Sequence, residues 1–119
     1  MPNSLVRPRT HAFANQSGRC FYCGISMWAD NPQEFANQHR ITPGQAKRFQ
    51  CTGEHLVARQ EGGSSARSNI VAACRFCNEV RHRRKKPLSP DRYMLLVRKR
   101  MKLGRWHGLW VSQKGLLSN

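Results

Sequence analysis

Two C-x-x-C pairs, Cys20 with Cys23 and Cys74 with Cys77, are the most chemically specific feature of this sequence. Two residues between thiols let both meet one ion from a single tight turn, and two such turns complete a tetrahedron around zinc. The duplication, with an aromatic inside each pair ("CFYC", "CRFC"), favours zinc over a redox pair. Four thiolates leave no open position, so this Zn²⁺ is expected to staple the fold and not to react. Cys51 is left over and is expected to be a small buried hydrophobe.

Between and just after the pairs lies a second set. "TGEHLVARQEGG" holds Glu54 and His55, and Asn69, Asn78 and His82 follow. Singly, each has an ordinary explanation: loop neighbours, a turn residue, a helix-surface amide, part of a basic face. Jointly they can do chemistry. Asn78 and His82 are four apart, so on a helix they project from one face. An acid, an amide oxygen and an imidazole nitrogen meeting there would make an open site for a divalent cation.

Several elements must place these groups. Residues 50–58 and 69–73 have strand character, with "GGSS" as the glycine-rich connection. From 75 to about 85 the residues favour a helix that must end before Pro87. A hairpin of the two strands packed on that helix would face Glu54 and His55 toward Asn78 and His82. "NPQE" and "TPGQ" predict two short helices within 30–50, each with Asn or Thr as N-cap and Pro at N1. A last helix starts at Ser89, Pro90 and Asp91 and runs to about Leu103, with Gly104 suited to C′. Its Tyr93, Leu96, Val97 and Met101 share a core-facing side. Residues 1–19 read as a polar, basic lead-in, and "CFYCG" as a tight turn. Trp106 and Trp110 are expected to cover the last helix, with stacking on bases as the alternative.

The order C-x-x-C, E-H, G-G, N-I-V, C-x-x-C-N resembles the HNH endonucleases over about 18–84, closest to small stand-alone bacterial and phage types with cysteine pairs. The resemblance implies an α+β fold: a small zinc-stabilised ββα-metal, treble-clef-like domain with additional helices. One domain over 1–119 is then expected, with its core at about 18–86 and a helical extension at about 89–119. His55 falls on the family's general base, and Glu54 on the metal-binding position before it. Asn69 falls on the central Asn that braces the loop, Asn78 on the last, metal-binding position, and His82 on a further metal-binding His. The implied cofactor is Mg²⁺ or Mn²⁺, with His82 extending tolerance to Ni²⁺, Co²⁺ or Zn²⁺. The chain departs from the family in lacking a proline about three residues after the base, and residues 24–50 have no counterpart.

Lys and Arg total 21 against 6 Asp and Glu, a formal net charge of +15. Such an excess favours a polyanionic partner, because basic side chains displace counterions condensed on phosphates. Residues 81–86 hold five cations and 98–102 four more; runs of this kind contact backbone phosphates or form solvated faces. Arg59, Arg81, Arg83, Arg84, Lys85 and Lys86 are the expected contacts to double-stranded DNA, since the resemblance lays the metal helix along the minor groove. No stretch reaches the roughly 18 apolar residues of a membrane span, and the start lacks an apolar signal region, so a cytoplasmic protein is expected. One active centre cuts one strand, so double-strand cleavage would require a homodimer, a larger complex or sequential nicks. Two other classes remain open: a non-catalytic zinc module that coats nucleic acid, and an interaction protein within a larger complex.

Overall fold

The computed structural model describes residues 5–108. Its centre is a two-stranded antiparallel sheet of β1 (Cys51–His55) and β2 (Ile70–Cys74), in the register Cys51 to Cys74 and His55 to Ile70. The sequence pattern predicted β1 to run to residue 58. It stops at His55 because the main chain beyond is engaged elsewhere. Arg81 takes the carbonyls of His55 and Leu56 at 2.9 and 3.1 Å, and the Asn69 side chain binds both main-chain groups of Val57. Past the Leu56 amide, which still pairs with the Asn69 carbonyl at 2.9 Å, these groups are satisfied off the ladder and the strand ends.

Helix α4 (Arg75–Arg81) follows β2 without a loop, and Cys74 is its N-cap, the sulfur accepting from the Cys77 amide at 3.4 Å. Two strands and this helix form the expected ββα unit. The helix is shorter than predicted: it closes at Arg81, with His82 as C-cap, and does not reach 85. The Arg81 guanidinium donates to the Leu88 carbonyl at 3.0 and 3.1 Å, and Gln60 Nε2 donates to the Lys85 carbonyl at 2.7 Å. These bonds fold 82–88 back and end the helical run.

The lead-in is not loose chain. Residues Val6–Asn15 form α1, which packs on both strands. Just past its end the Gln16 amide pairs with Ala72 as a strand neighbour would, its oxygen accepting from the Ala72 amide at 2.9 Å and its nitrogen donating to the Ala72 carbonyl at 2.8 Å. Only Ala12 of α1 is buried, so its sequence carries little of the apolar periodicity that announces a helix.

The two short helices predicted within 30–50 are present. Asn31 caps α2 (Pro32–His39), accepting from Glu34 N at 3.0 Å, and Thr42 and Gln45 form a reciprocal capping box on α3 (Pro43–Ala46). A 3-10 turn at Lys47–Phe49 leads into β1, with Phe49 fully buried. Ser89 caps α5 (Pro90–Lys102), which buries Tyr93 and Val97; Leu103 is its C-cap and Gly104 follows in the left-handed region at φ 68°.

Beyond α5 the chain returns over the cysteines. The Trp106 ring lies edge-on to Tyr93 and Phe76, and its Nε1 donates to Cys77 Sγ at 3.3 Å. Trp106 therefore covers Cys77 as well as the helix, while Trp110 lies outside the described residues. His107 is buried against Phe49, Phe76 and Trp106; burial pushes its pKa down to about 4, so it sits there as a neutral ring.

Candidate active site

The four thiols of Cys20, Cys23, Cys74 and Cys77 converge, their sulfurs all within 4.8 Å of one another and all buried. Tetrahedral zinc with bonds of about 2.3 Å sets its sulfurs about 3.8 Å apart. Cys23 and Cys74 Sγ are 3.9 Å apart. Burial opposes charge on Cys20, yet hydrogen bonds from Cys23, Cys74 and Cys77 outweigh it and hold that thiol well below its usual range. Burial, and then hydrogen bonds with Cys20 and Cys23, push Cys74 and Cys77 well above theirs. Four buried sulfurs converging on one point make a donor set whose chemistry suits Zn²⁺. Among the described residues this is the one group of three or more His, Cys, Asp and Glu that could hold a metal. Cys51, across the sheet from Cys74, stays outside it as a buried free thiol whose pKa burial raises to about 11.

A cavity of about 440 Å³ is lined by Glu54, His55, Arg59, Asn78 and His82. Glu54 forms its floor, 1% exposed. Its Oε2 accepts from Tyr22 Oη at 3.0 Å and from Arg81 at 3.1 Å, and its Oε1 faces His82 Nε2 at 2.8 Å. Two fixed donors on one oxygen orient the carboxylate and leave Oε1 toward the imidazole. Tyr22 stays protonated there: burial, and then the neighbouring carboxylate, push its pKa upward.

Asn78 Nδ2 donates to Thr52 Oγ1 at 3.0 Å, which fixes the amide at the cavity wall. A carboxylate oxygen, an imidazole and an amide on one cavity fit a hard divalent cation with some tolerance for softer ones. His55 is partly buried at the rim, its Nε2 3.2 Å from Ser65 Oγ. Burial, then the nearby Arg59 cation, lower its pKa from the ordinary value, which favours the uncharged ring that a base requires.

Asn69 braces the loop between the strands without lining the cavity. Its Oδ1 accepts from Val57 N at 2.8 Å, and its Nδ2 donates to the Val57 and Ser64 carbonyls at 3.0 and 2.8 Å. The loop closes so tightly that a Cβ on Gly63 would lie 1.7 Å from the Val57 oxygen, so this position admits only glycine. Ala58, where the family often has proline, is buried and needs no proline to turn the chain: its carbonyl accepts from Glu61 and Gly63.

One expectation fails clearly. Arg81, expected to grip phosphate, is 4% exposed and turned inward, bonded to Glu54, His55, Leu56 and Leu88. At this position of α4 the side chain faces the sheet, so the first residue of the basic run is a buried counter-ion. Arg83, Arg84, Lys85 and Lys86 are exposed beyond the helix end, and Arg59 is exposed at the cavity rim. Removing Arg81 would leave the buried Glu54 without its guanidinium counter-ion, a change that costs about 3–5 kcal/mol. Arg81→Leu in zinc-loaded protein is expected to lower urea stability by that amount, and a loss under about 1 kcal/mol would refute the role.

Tyr22, Ser65 and Thr52 orient the site and have no sequence signature. Tyr22 lies inside the first C-x-x-C turn, which places one wall of the zinc site directly behind the carboxylate.

Residues 43–84 match the family model of the HNH endonucleases. No curated protein and no solved structure is matched. The matched stretch contains β1, the Asn69-braced loop, β2 and α4, together with every side chain described around the cavity except Tyr22. No helix among the described residues is long and apolar enough to cross a membrane.

Proposed function

We propose that this chain, through its HNH segment, is a metal-dependent endonuclease that hydrolyses phosphodiester bonds in DNA, with one fold unit built around a structural zinc. The observation that carries the reading is the cavity where His55, the Glu54–His82 pair and Asn78 meet. Neutral His55 takes a proton from water as the water oxygen attacks phosphorus. The bond to the 3′ oxygen then breaks, and that oxygen leaves as a hydroxyl after protonation from solvent. A divalent cation held by Glu54 Oε1, His82 Nε2 and Asn78 would supply Lewis-acid stabilisation of the charge gathering on the phosphoryl oxygens. Glu54 is held in place by Tyr22 and Arg81, so it orients without moving. Arg59, exposed at the rim and reaching toward Ser65, offers a fork to the phosphate.

The test is conversion of supercoiled plasmid to nicked circles by zinc-loaded protein with Mg²⁺, Mn²⁺ or Ni²⁺. Nicking is expected with at least one of them and none without added metal. Binding with no cleavage under any metal would favour a non-catalytic zinc module. The internal bonds of Glu54 to Arg81 and His82 give that reading its one structural support.

A further inference from the structure

The cavity that holds His55 is not isolated. It adjoins a second, of about 380 Å³, through the shared residues Gly53 and Asn78; this one is bordered by Arg9 of α1 and Arg75 of α4. The second in turn shares Arg75 and Glu79 with a third, of about 400 Å³, walled by Lys47, Arg48, Phe76 and Arg83. Their shared linings set the three side by side along α4 and just past its end, from Asn78 to Arg83, as one interrupted groove.

The far end of the groove is strongly cationic. Four positive side chains surround it against one carboxylate, Glu79. That carboxylate is paired with Arg75 through Nε at 3.1 Å in an exposed i,i+4 contact, the kind that is worth little and exchanges readily. Among the described residues the terminal nitrogens of the Arg75 fork make no other bond, which leaves them for a further acceptor. A cleft lined by one sign of charge focuses its field and attracts a counter-charged chain.

The segment that delivers Lys47 and Arg48 is held firmly. Trp28 Nε1 donates to the Ala46 carbonyl at 2.7 Å, the Thr42–Gln45 box closes α3, and Phe49 is buried. The Arg75 amide donates to the Gln50 carbonyl at 2.9 Å, which ties this turn to the first residue of α4. The main chain that carries the two cations is therefore fixed before any ligand arrives, which limits the ordering required on binding to their side chains.

We propose that this groove carries the phosphodiester backbone of the substrate strand beyond the cut, with Lys47, Arg48, Arg75 and Arg83 as its phosphate contacts. The proposal rests on reading the His55 cavity as the hydrolytic site. Continuity with that cavity selects a nucleic-acid strand over an acidic protein. The groove also accounts for residues 24–50, whose last turn builds one wall of the substrate path.

The test uses the full chain, zinc-loaded, with His55→Ala to prevent cleavage and a fluorescent 20-base-pair DNA duplex as probe. Affinity is measured by anisotropy across salt concentrations. Lys47→Ala/Arg83→Ala removes two exposed cations, and Lys99→Ala/Lys102→Ala on α5 removes the same charge away from the groove. Each lost phosphate contact lowers the salt slope by about 1, so the groove variant is expected to lose about 2 and to bind at least ~10-fold more weakly at ~0.1 M salt. The α5 variant should lose less than half of that. Lys47→Arg/Arg83→Lys, which keeps the charge, should restore the slope. Equal losses in the two alanine variants, or no loss in the groove variant, overturn the proposal. Cleavage is scored separately on plasmid with His55 intact: nicking with an unchanged salt slope removes the groove alone. A changed slope without nicking removes the hydrolytic reading and leaves the groove as a binding track. Zinc content and circular dichroism of each variant confirm that charge alone was altered.

Discussion

Replacing His55 with alanine is expected to lower metal-dependent nicking by about 10²- to 10⁴-fold, the range for loss of a positioned general base. The substitution isolates chemistry from folding unusually well. His55 is the last residue of β1, only partly buried, and its ring bonds to Ser65 in the loop. Its carbonyl, which Arg81 uses, belongs to the main chain and survives the change. Melting temperature and zinc content should therefore stay near wild type while the rate collapses. Glu54→Gln offers the contrast. It would disturb the Arg81, Tyr22 and His82 bonds together, so it should reduce stability and rate at once. Equal nicking by His55→Ala and wild-type protein would end the case for His55 as base.

The second large effect concerns the cysteines. Cys74→Ser, or removal of metal by a strong chelator, is expected to unfold the described core and not merely loosen it. Structural zinc contributes about 10–16 kcal/mol of apparent binding free energy in small domains. A chain of this size has about 5–15 kcal/mol of net stability. The location of Cys74 adds to the damage: it ends β2, caps α4 and sits opposite Cys51 in the sheet. Tyr93 Oη donates to the Cys77 carbonyl at 2.6 Å and Trp106 to its sulfur, so α5 and the segment beyond it are docked on the same cluster. Metal analysis should find about one zinc per chain, and chelation should abolish both the far-ultraviolet helical signal and the near-ultraviolet aromatic signal. Retention of both signals in metal-free protein would contradict a structural role for the cluster.

Legibility in the sequence followed the range of the interactions. The cysteine pairs could be read because each is a local turn, and the helix caps at Asn31, Thr42 and Ser89 because a cap is decided within four residues. Glu54, His55, Asn78 and His82 were visible through their order along the chain, and the structure gathers all four on one cavity. What escaped was long-range. Arg81 looks like its neighbours in "RHRRKK", and only the sheet beneath α4 turns it inward. Helix α1 buries one small residue and gains its place from Gln16 bonding across to Ala72. The cations of the groove come from separate segments, so no run announces them.

The two sites share their supports. Cys77 and Asn78 are consecutive on α4, and Cys51, which faces Cys74 across the sheet, precedes Glu54 by three residues on β1. Tyr22, inside one C-x-x-C turn, reaches through to the Glu54 carboxylate. A grafting experiment that moved only Glu54, His55, Asn78 and His82 onto another scaffold would leave behind the parts that fix their spacing. The smallest transferable unit includes the cysteines, and drift in the geometry of one centre is inherited by the other.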